Sequence, residues 1–169
     1  MSSTRDAERA RRAGFADIRI LRILEAADAE SVYGVRSGFR PVMTLVGEVI
    51  ALKRVEAGAG VSYGYTHRAP EATYLALVGL GYADGVPRLA SNRARVHLAG
   101  DMHPIVGRIA MDQSVVSCGD ARPAPGDEAI LFGDPARGEP SAAEWATWTE
   151  RSALALTAGL GERIRRVAR

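Results

Sequence analysis

Three short segments decide the fold of this chain: Val61-Ser62-Tyr63-Gly64, Gly81-Tyr82-Ala83-Asp84-Gly85-Val86-Pro87-Arg88 and Gly107-Arg108-Ile109-Ala110-Met111-Asp112-Gln113. The first segment is typical of an aromatic residue on a strand beside a Gly-rich turn. The second is typical of a strand end that turns through Asp-Gly. The three segments carry tyrosine, arginine and aspartate side chains close to predicted turns.

The sequence around these segments predicts a mainly β fold. The run at 42–55 is rich in branched apolar residues, and Ala57-Gly58-Ala59-Gly60 predicts a turn before the next strand. Short strands separated by Gly, Pro, Asn and Asp are typical of an all-β sandwich or barrel. The predicted strands lie at 42–55, 61–67, 73–80, 94–99, 105–109, 114–117 and 128–132.

The C-terminal region differs, because it predicts helices. Ser141-Ala142-Ala143-Glu144 matches a capping box, so a helix is expected from there to about Thr149. A second helix is expected at 152–158, where Gly159-Leu160-Gly161 ends it. Ile164 and Val167 are predicted to close the fold as a last strand.

Residues 1–32 are predicted to form an N-terminal arm, and residues 33–169 the β domain. The arm begins with a polar helix at 3–12, for which Ser3 or Thr4 can serve as N-cap. The apolar pattern at 17–24 fits a strand, and it fits equally a helix that continues through Glu25-Ala26-Ala27. Both interpretations stay open.

Composition limits the classes of function. Hydrophobic residues make up 47% of the chain and charged residues 25%, which excludes a disordered class. The single Cys118 cannot form an internal disulfide, and the first residues lack the apolar run of a signal peptide, so a cytoplasmic location is expected. No segment approaches the roughly 20 apolar residues of a membrane span. The three histidines lack zinc-ligand spacing, and no metal is expected.

The basic residues at the C-terminus could suggest binding to nucleic acid. Glu162 interrupts this cluster, and no aromatic residues are interleaved with it. We therefore expect no nucleic acid partner. The cluster consists of Arg163, Arg165, Arg166 and Arg169.

The three segments, in this order, resemble the C-terminal domain of alanine racemase, an enzyme that depends on pyridoxal phosphate (PLP). The resemblance extends from Arg40 to Gly161 and implies a Greek-key, β-barrel-like domain. In that family a (β/α)₈ barrel that carries PLP precedes this domain. Such a barrel takes about 250 residues, and this chain has 169, so the barrel is expected to be absent.

The resemblance also implies roles for individual residues. Tyr63 matches the tyrosine that acts as the second catalytic base, which the family supplies from a neighbouring subunit. Tyr82, Arg88 and Arg108 match residues of the corridor that leads substrate to PLP. Met111 matches a methionine whose backbone contributes to substrate binding, and Asp112 belongs to the same substrate-binding segment. Arginine suits an amino acid carboxylate, because a guanidinium binds it with two hydrogen bonds.

The chain alone is not expected to bind PLP. Lys53 is the only lysine, and its strand-like surroundings favour a solvated side chain on an edge strand over a Schiff base. The resemblance places Leu154 where the family has a tyrosine that binds the cofactor phosphate, and leucine cannot donate a hydrogen bond. PLP is therefore expected only if a separate barrel chain complements this one.

Three hypotheses for the function stay open. The chain could complete the site of a PLP-dependent amino acid racemase on a separate barrel chain by providing Tyr63 in trans. It could be a non-catalytic module that binds an amino acid or a protein, or it could be an inactive racemase remnant. Self-association into a homo-oligomer is expected in each case, because the absence of the barrel exposes surface that the family buries.

Overall fold

The computed structural model describes residues 41–167. This part of the chain holds eight β-strands and two α-helices, with short 3₁₀ turns between them. The predictions for the arm at residues 1–32, and the domain boundary at residue 33, lie outside the described residues. The strands are β1 Leu45–Val55, β2 Gly60–Val61, β3 His67–Arg68, β4 Thr73–Val78, β5 Arg95–Leu98, β6 Asp101–Pro104, β7 Ser114–Ser117 and β8 Glu128–Phe132, and the helices are α1 Ala142–Thr149 and α2 Ala153–Ala158.

Six strands form one antiparallel sheet in the order β6-β5-β8-β1-β4-β7. Its two outer strands, β6 and β7, approach each other where Ile105 pairs with Val116 in an isolated bridge. This bridge brings the sheet close to a closed barrel, which removes most of the exposed edge that an open sheet would present. The mainly β, barrel-like fold predicted from the sequence is confirmed.

Strand β1 is long because it serves both halves of the sheet. Its first part pairs with β8, with Leu45 opposite Phe132, and its second part pairs with β4, with Val55 opposite Thr73. The register shifts near Val49, where the strand passes from one partner to the other. Such irregularities bend a strand and increase its twist, so β1 can curve around the core.

The core lies inside the curved sheet and beneath α1. Trp145 of α1 is almost completely buried and meets Phe132 and Trp148 edge to face, with ring centroids 6.4 and 6.3 Å apart. The predicted capping box starts this helix: Ser141 Oγ accepts from the Glu144 amide at 3.1 Å, and the Ser141 amide donates to the Glu144 carboxylate at 2.7 Å. The core strands contribute Val49, Ala76, Val78, Val96, Leu98, Val116, Ala129 and Leu131.

Three predicted strands are wrong in whole or in part. The strand predicted at 61–67 is interrupted by a 3₁₀ turn at Tyr63–Tyr65, because Ser62, Gly64 and Tyr65 adopt positive φ angles. The strand predicted at 105–109 lies earlier, at Asp101–Pro104, and Gly107 with φ +74° breaks the extended conformation. Residues 164–167 form no strand.

The described residues contain no helix that is both long enough and apolar enough to span a bilayer.

Candidate functional site

An open cleft of about 360 Å³ lies where the first and third segments meet. Tyr63 stands at this cleft on the 3₁₀ turn Tyr63–Tyr65, and 69% of its surface is exposed. Within residues 41–167, the Tyr63 hydroxyl makes no hydrogen bond with a side chain. The cleft is lined by Ser62, Tyr63, Tyr65, Arg108, Ala110, Gln113 and Val115.

The turn that carries Tyr63 has an unusual backbone. Ser62 (φ 57°, ψ −169°) and Tyr65 (φ 47°) both adopt positive φ, as does Gly64 between Tyr63 and Tyr65. Gly60 leaves room for the ring of Tyr65, because a Cβ at Gly60 would lie 2.5 Å from Tyr65 Cδ1. The strained turn therefore folds Tyr65 back onto β2 and leaves Tyr63 projecting.

The wall opposite Tyr63 is formed by the segment around Arg108. Ser62 Oγ donates to the Arg108 carbonyl at 2.6 Å. Gly107 fits only because it lacks a side chain: a Cβ there would lie 2.8 Å from both Ser62 Cβ and the Val61 carbonyl oxygen. The Arg108 guanidinium lies beside Gly64, where a Cβ would be 3.6 Å from the guanidinium carbon.

Ser91 and Asn92 brace this wall. Asn92 Oδ1 accepts from the Gly107 amide at 2.6 Å, and its Nδ2 donates to Thr66 Oγ1 at 3.2 Å. Ser91 Oγ accepts from the Ile109 amide at 3.0 Å and donates to the Arg88 carbonyl at 2.6 Å. The two polar residues thus fix the position of the loop at 107–109 relative to the turn that carries Tyr63.

The second segment lies against the other end of the third. The amides of Tyr82 and Ala83 donate to the carbonyls of Ala110 and Met111, at 3.0 and 2.9 Å. Gly81 permits this contact, since a Cβ there would lie 2.5 Å from the Ala110 carbonyl oxygen. All three segments are therefore contiguous in space, although they are separate in sequence.

A C-terminal arginine joins the second and third segments. Arg163 Nη2 and Nε bond to Asp84 Oδ1 at 2.9 and 3.1 Å, and its Nη1 bonds to Asp112 Oδ1 at 2.8 Å. The hydrogen bonds with Asp112 and then with Asp84 raise the pKa of Arg163 above its ordinary value. Asp84 is buried, and its other oxygen accepts from the Gly81 amide at 2.9 Å. The sequence marks Arg163 only as part of a C-terminal basic cluster, and no local signal indicates its contacts with Asp84 and Asp112.

The residues singled out in the sequence thus fall into two groups. Tyr63 and Arg108 share the cleft. Tyr82, Met111 and Asp112 lie on the adjoining turns, where the Asp112 carboxylate is engaged by Arg163. Arg88 lies over the ring of Tyr82, with its guanidinium carbon 5.6 Å from the ring centroid.

Residues considered for cofactor binding lie elsewhere. Lys53 is exposed on β1 and does not line the cleft, and Leu154 is 52% exposed on α2. The described residues contain no cluster of His, Cys, Asp and Glu that could hold a metal ion. Gln113, for which the sequence predicts no role, lines the cleft beside Arg108.

Comparisons with known proteins point to one family. The family model for the alanine racemase C-terminal domain matches residues 42–168. The alanine racemase of Thermobifida fusca is 48% identical over 130 residues, which cover 77% of this chain and 35% of that protein. The alanine racemase of Salinispora arenicola is 53% identical over 115 residues, covering 68% and 31% of the two chains.

Solved structures show the same likeness. Alanine racemase from Streptomyces coelicolor A3(2) superposes with a TM-score of 0.75 and is 48% identical, over 77% of this chain and 34% of that one. Alanine racemase from Bartonella henselae, solved with covalently bound pyridoxal phosphate, gives a TM-score of 0.74 at 29% identity, over 81% and 39% of the two chains. The chain spans about a third of the length of the curated relatives it matches. From its three motif segments, their contacts and this likeness, the chain belongs to the alanine racemase C-terminal domain family.

Proposed function

We propose that this chain contributes Tyr63 as a catalytic base to a PLP-dependent amino acid racemase site that is completed by a separate barrel chain. The observation that carries the proposal is the shared cleft of Tyr63 and Arg108. Tyr63 is largely exposed on a turn held by the surrounding backbone. A phenol presented in this way can reach into a site on another chain.

The side chains of the cleft suit an amino acid substrate. Arg108 has no carboxylate partner among the described residues, and a guanidinium can bind a carboxylate with two parallel hydrogen bonds. Its positive charge beside the cleft also favours an anionic group there. In the proposed role Arg108 attracts and orients the carboxylate, and Tyr63 takes the proton of the α-carbon as a phenolate or returns it as a phenol.

The described residues do not fit PLP by themselves. A lysine that binds the cofactor must lie in the site, and Lys53 is exposed on β1, away from the cleft. When bound, PLP supplies the electron sink that makes the α-proton of an amino acid removable. In this proposal a barrel chain of the kind found in full-length relatives holds the cofactor. The cytoplasmic location and self-association stay predictions.

Mixing experiments test the proposal. The full chain is combined with a PLP-barrel chain from which the C-terminal domain has been removed, and conversion of L-alanine to D-alanine is followed. We expect activity only in the mixture. Tyr63→Phe should lower the rate by about 10²-fold or more, in the range that general base catalysis contributes.

Tyr65→Phe is the matched control, because Tyr65 lies in the same cleft and is similarly exposed, 62% against 69% for Tyr63. It should change the rate by less than about tenfold, since loss of a non-catalytic hydroxyl removes at most a single hydrogen bond. A mixture that keeps its full activity with Tyr63→Phe would show that the proposal is wrong.

Arg108, which has no carboxylate partner within residues 41–167, also favours a second candidate, a module that binds a small amino acid without cofactor. Thermal unfolding with D- and L-alanine, each with and without PLP, separates the two candidates. Stabilisation by an amino acid alone supports the binding module. If no amino acid raises the unfolding temperature under any of these conditions, the binding module is ruled out.

A further inference from the structure

We infer that Arg163 is a positioning residue that holds the substrate-binding turn at 110–113 in place against the turn at 81–84. This inference deepens the proposed function, on which its catalytic consequence rests. The structural part concerns this chain alone and can be tested without a partner.

Arg163 binds two carboxylates that lie on different turns. Asp84 lies at the end of the 3₁₀ turn Tyr82–Asp84, and Asp112 lies in the turn that follows Ala110. Two backbone hydrogen bonds already join these turns, from Tyr82 and Ala83. The Arg163 guanidinium adds a third link between the two turns through the side chains of Asp84 and Asp112. Without it, the exposed Asp112 would be held only through its backbone.

The guanidinium of Arg163 holds both carboxylates at once. Arg163 uses three donors on two carboxylates, with distances between 2.8 and 3.1 Å. Its side chain is 54% exposed, that of Asp112 60% and that of Asp84 only 9%. A planar fork of donors can bridge two acceptors in a fixed geometry, whereas a lysine ammonium is a point charge with rotating donors. The inference therefore requires arginine at this position.

Asp112 lies in a turn whose two ends line the cleft. Ala110 and Gln113 line the cleft, and the Ala110 amide donates to the Gln113 carbonyl at 2.9 Å, which closes the turn around Met111 and Asp112. A shift of Asp112 must therefore also move Ala110 and Gln113, which line the cleft. In this view the carboxylate of Asp112 anchors the turn and does not itself bind the substrate.

Arg163 belongs to a C-terminal segment that packs against the turn at 81–84. The Gly161 amide donates to the Asp84 carbonyl at 2.9 Å, and a Cβ at Gly161 would lie 3.0 Å from the Ala83 carbonyl oxygen. The backbone of Arg163 is thus held within reach of both carboxylates. The C-terminal segment and the substrate-binding turn are thereby coupled through one side chain.

Amide hydrogen exchange of the full chain, followed by NMR, tests the inference. The reporters are the amides of Ala83 and Ala110, and the amides of Tyr74 and Cys118 in the sheet serve as internal references. Arg163→Ala should speed exchange of the two reporters by about tenfold or more, because hydrogen bonds to charged groups are among the stronger ones. The references should keep their rates.

Two further variants sharpen the test. Arg163→Lys keeps the charge but not the fork, so it should loosen the turn nearly as much as Arg163→Ala. Arg93→Ala is the matched control, because Arg93 makes a comparably exposed 2.6 Å ion pair with Glu150 elsewhere on the surface. It should leave the exchange of Ala83 and Ala110 unchanged.

Chemical rescue distinguishes positioning from a general loss of stability. Millimolar guanidinium, far below denaturing concentrations, should restore slow exchange in Arg163→Ala, and equal ammonium should not. If Arg163→Ala leaves both reporters unchanged, or speeds the sheet references equally, the inference is overturned.

The catalytic consequence is read in the complemented racemase mixture. Arg163→Ala should raise KM for alanine by about tenfold with little change in kcat, because the turn contributes to substrate binding. A loosened turn with unchanged KM would refute the link to substrate. A native mixture without activity would instead refute the proposed function, while the exchange rates still decide whether Arg163 holds the turn.

Discussion

The hydroxyl of Ser62 donates a 2.6 Å hydrogen bond to the carbonyl oxygen of Arg108 and so joins the two walls of the cleft. This bond links residues that are 46 positions apart in sequence. It also offsets an unfavourable backbone, since the φ and ψ of Ser62 fall in a region that is otherwise nearly restricted to glycine. Ser62 therefore combines strain with a compensating contact.

Substitutions of Ser62 should separate these two effects. Ser62→Ala loses the hydrogen bond and keeps the strain, so we expect a loss of about 1 kcal/mol in the free energy of unfolding. Ser62→Gly loses the same bond but relieves the backbone, so it should be less destabilising than Ser62→Ala. Urea denaturation of both variants measures the difference, and a larger loss for Ser62→Gly would contradict this account.

Gly107 should tolerate no side chain. Gly107→Ala would place a Cβ 2.8 Å from Ser62 and Val61 at a positive φ, so the free energy of unfolding should fall by roughly 2–4 kcal/mol. Gly100→Ala is the matched control, because Gly100 also has positive φ but has nothing within 4 Å of its Cβ position. It should lose only about 1 kcal/mol from backbone strain. Equal losses in urea denaturation would show that crowding at Gly107 is unimportant.

Asn92 should act through both of its side-chain hydrogen bonds. Asn92→Asp keeps the acceptor for the Gly107 amide but loses the donor to Thr66, so it should cost less stability than Asn92→Ala, which loses both bonds. Thr66→Val removes the other partner of the second bond. Its effect should therefore not add to that of Asn92→Asp in a double-mutant cycle, and full additivity would argue against the bond.

Cys118 should make stability fall at alkaline pH. Burial raises the pKa of its thiol from the ordinary 9.0 to about 11, opposed by a smaller effect of a backbone hydrogen bond at Ala76. Above pH 9 the unfolded thiol ionises while the folded one stays neutral, so the free energy of unfolding decreases as pH rises toward about 11. The total loss is on the order of 2 kcal/mol.

Cys118→Ala provides the comparison, because it lacks this titration. Urea denaturation between pH 8 and pH 11 should therefore give a shallower decline for the variant. The same pH dependence for both proteins would show that Cys118 does not titrate as described.

Much of the sheet could be predicted from local sequence. The strands at Ser114–Ser117 and Glu128–Phe132 have the predicted bounds, and the helix after Ser141 begins at its capping box. In these elements the apolar residues recur with a clear period, and turn or capping residues mark the ends. Local preference and tertiary structure therefore agree.

The errors arise where apolar residues are buried without forming strands. Ile105 and Ile109 are both buried, but Gly107 between them turns the chain, so pairing is limited to the bridge at Ile105 and the burial of Ile109 reflects packing alone. The three motif segments were found because each carries its signal locally. The bridging role of Arg163 depends on Asp84 and Asp112, two partners that are distant in sequence, and a single sequence gives no sign of such a contact.

Because β1 pairs with both β4 and β8, its two halves find their partners at different times during synthesis. Its second half can pair with β4 soon after both leave the ribosome, but its first half needs β8, because Leu45 pairs with Phe132 near the far end of the domain. At a synthesis rate of about 5–20 residues per second, the first half of β1 therefore stays unpaired for several seconds, until β8 has been synthesised. During that time the nascent domain presents an unpaired apolar strand, and slower translation or higher temperature should increase its tendency to aggregate before β8 completes the sheet.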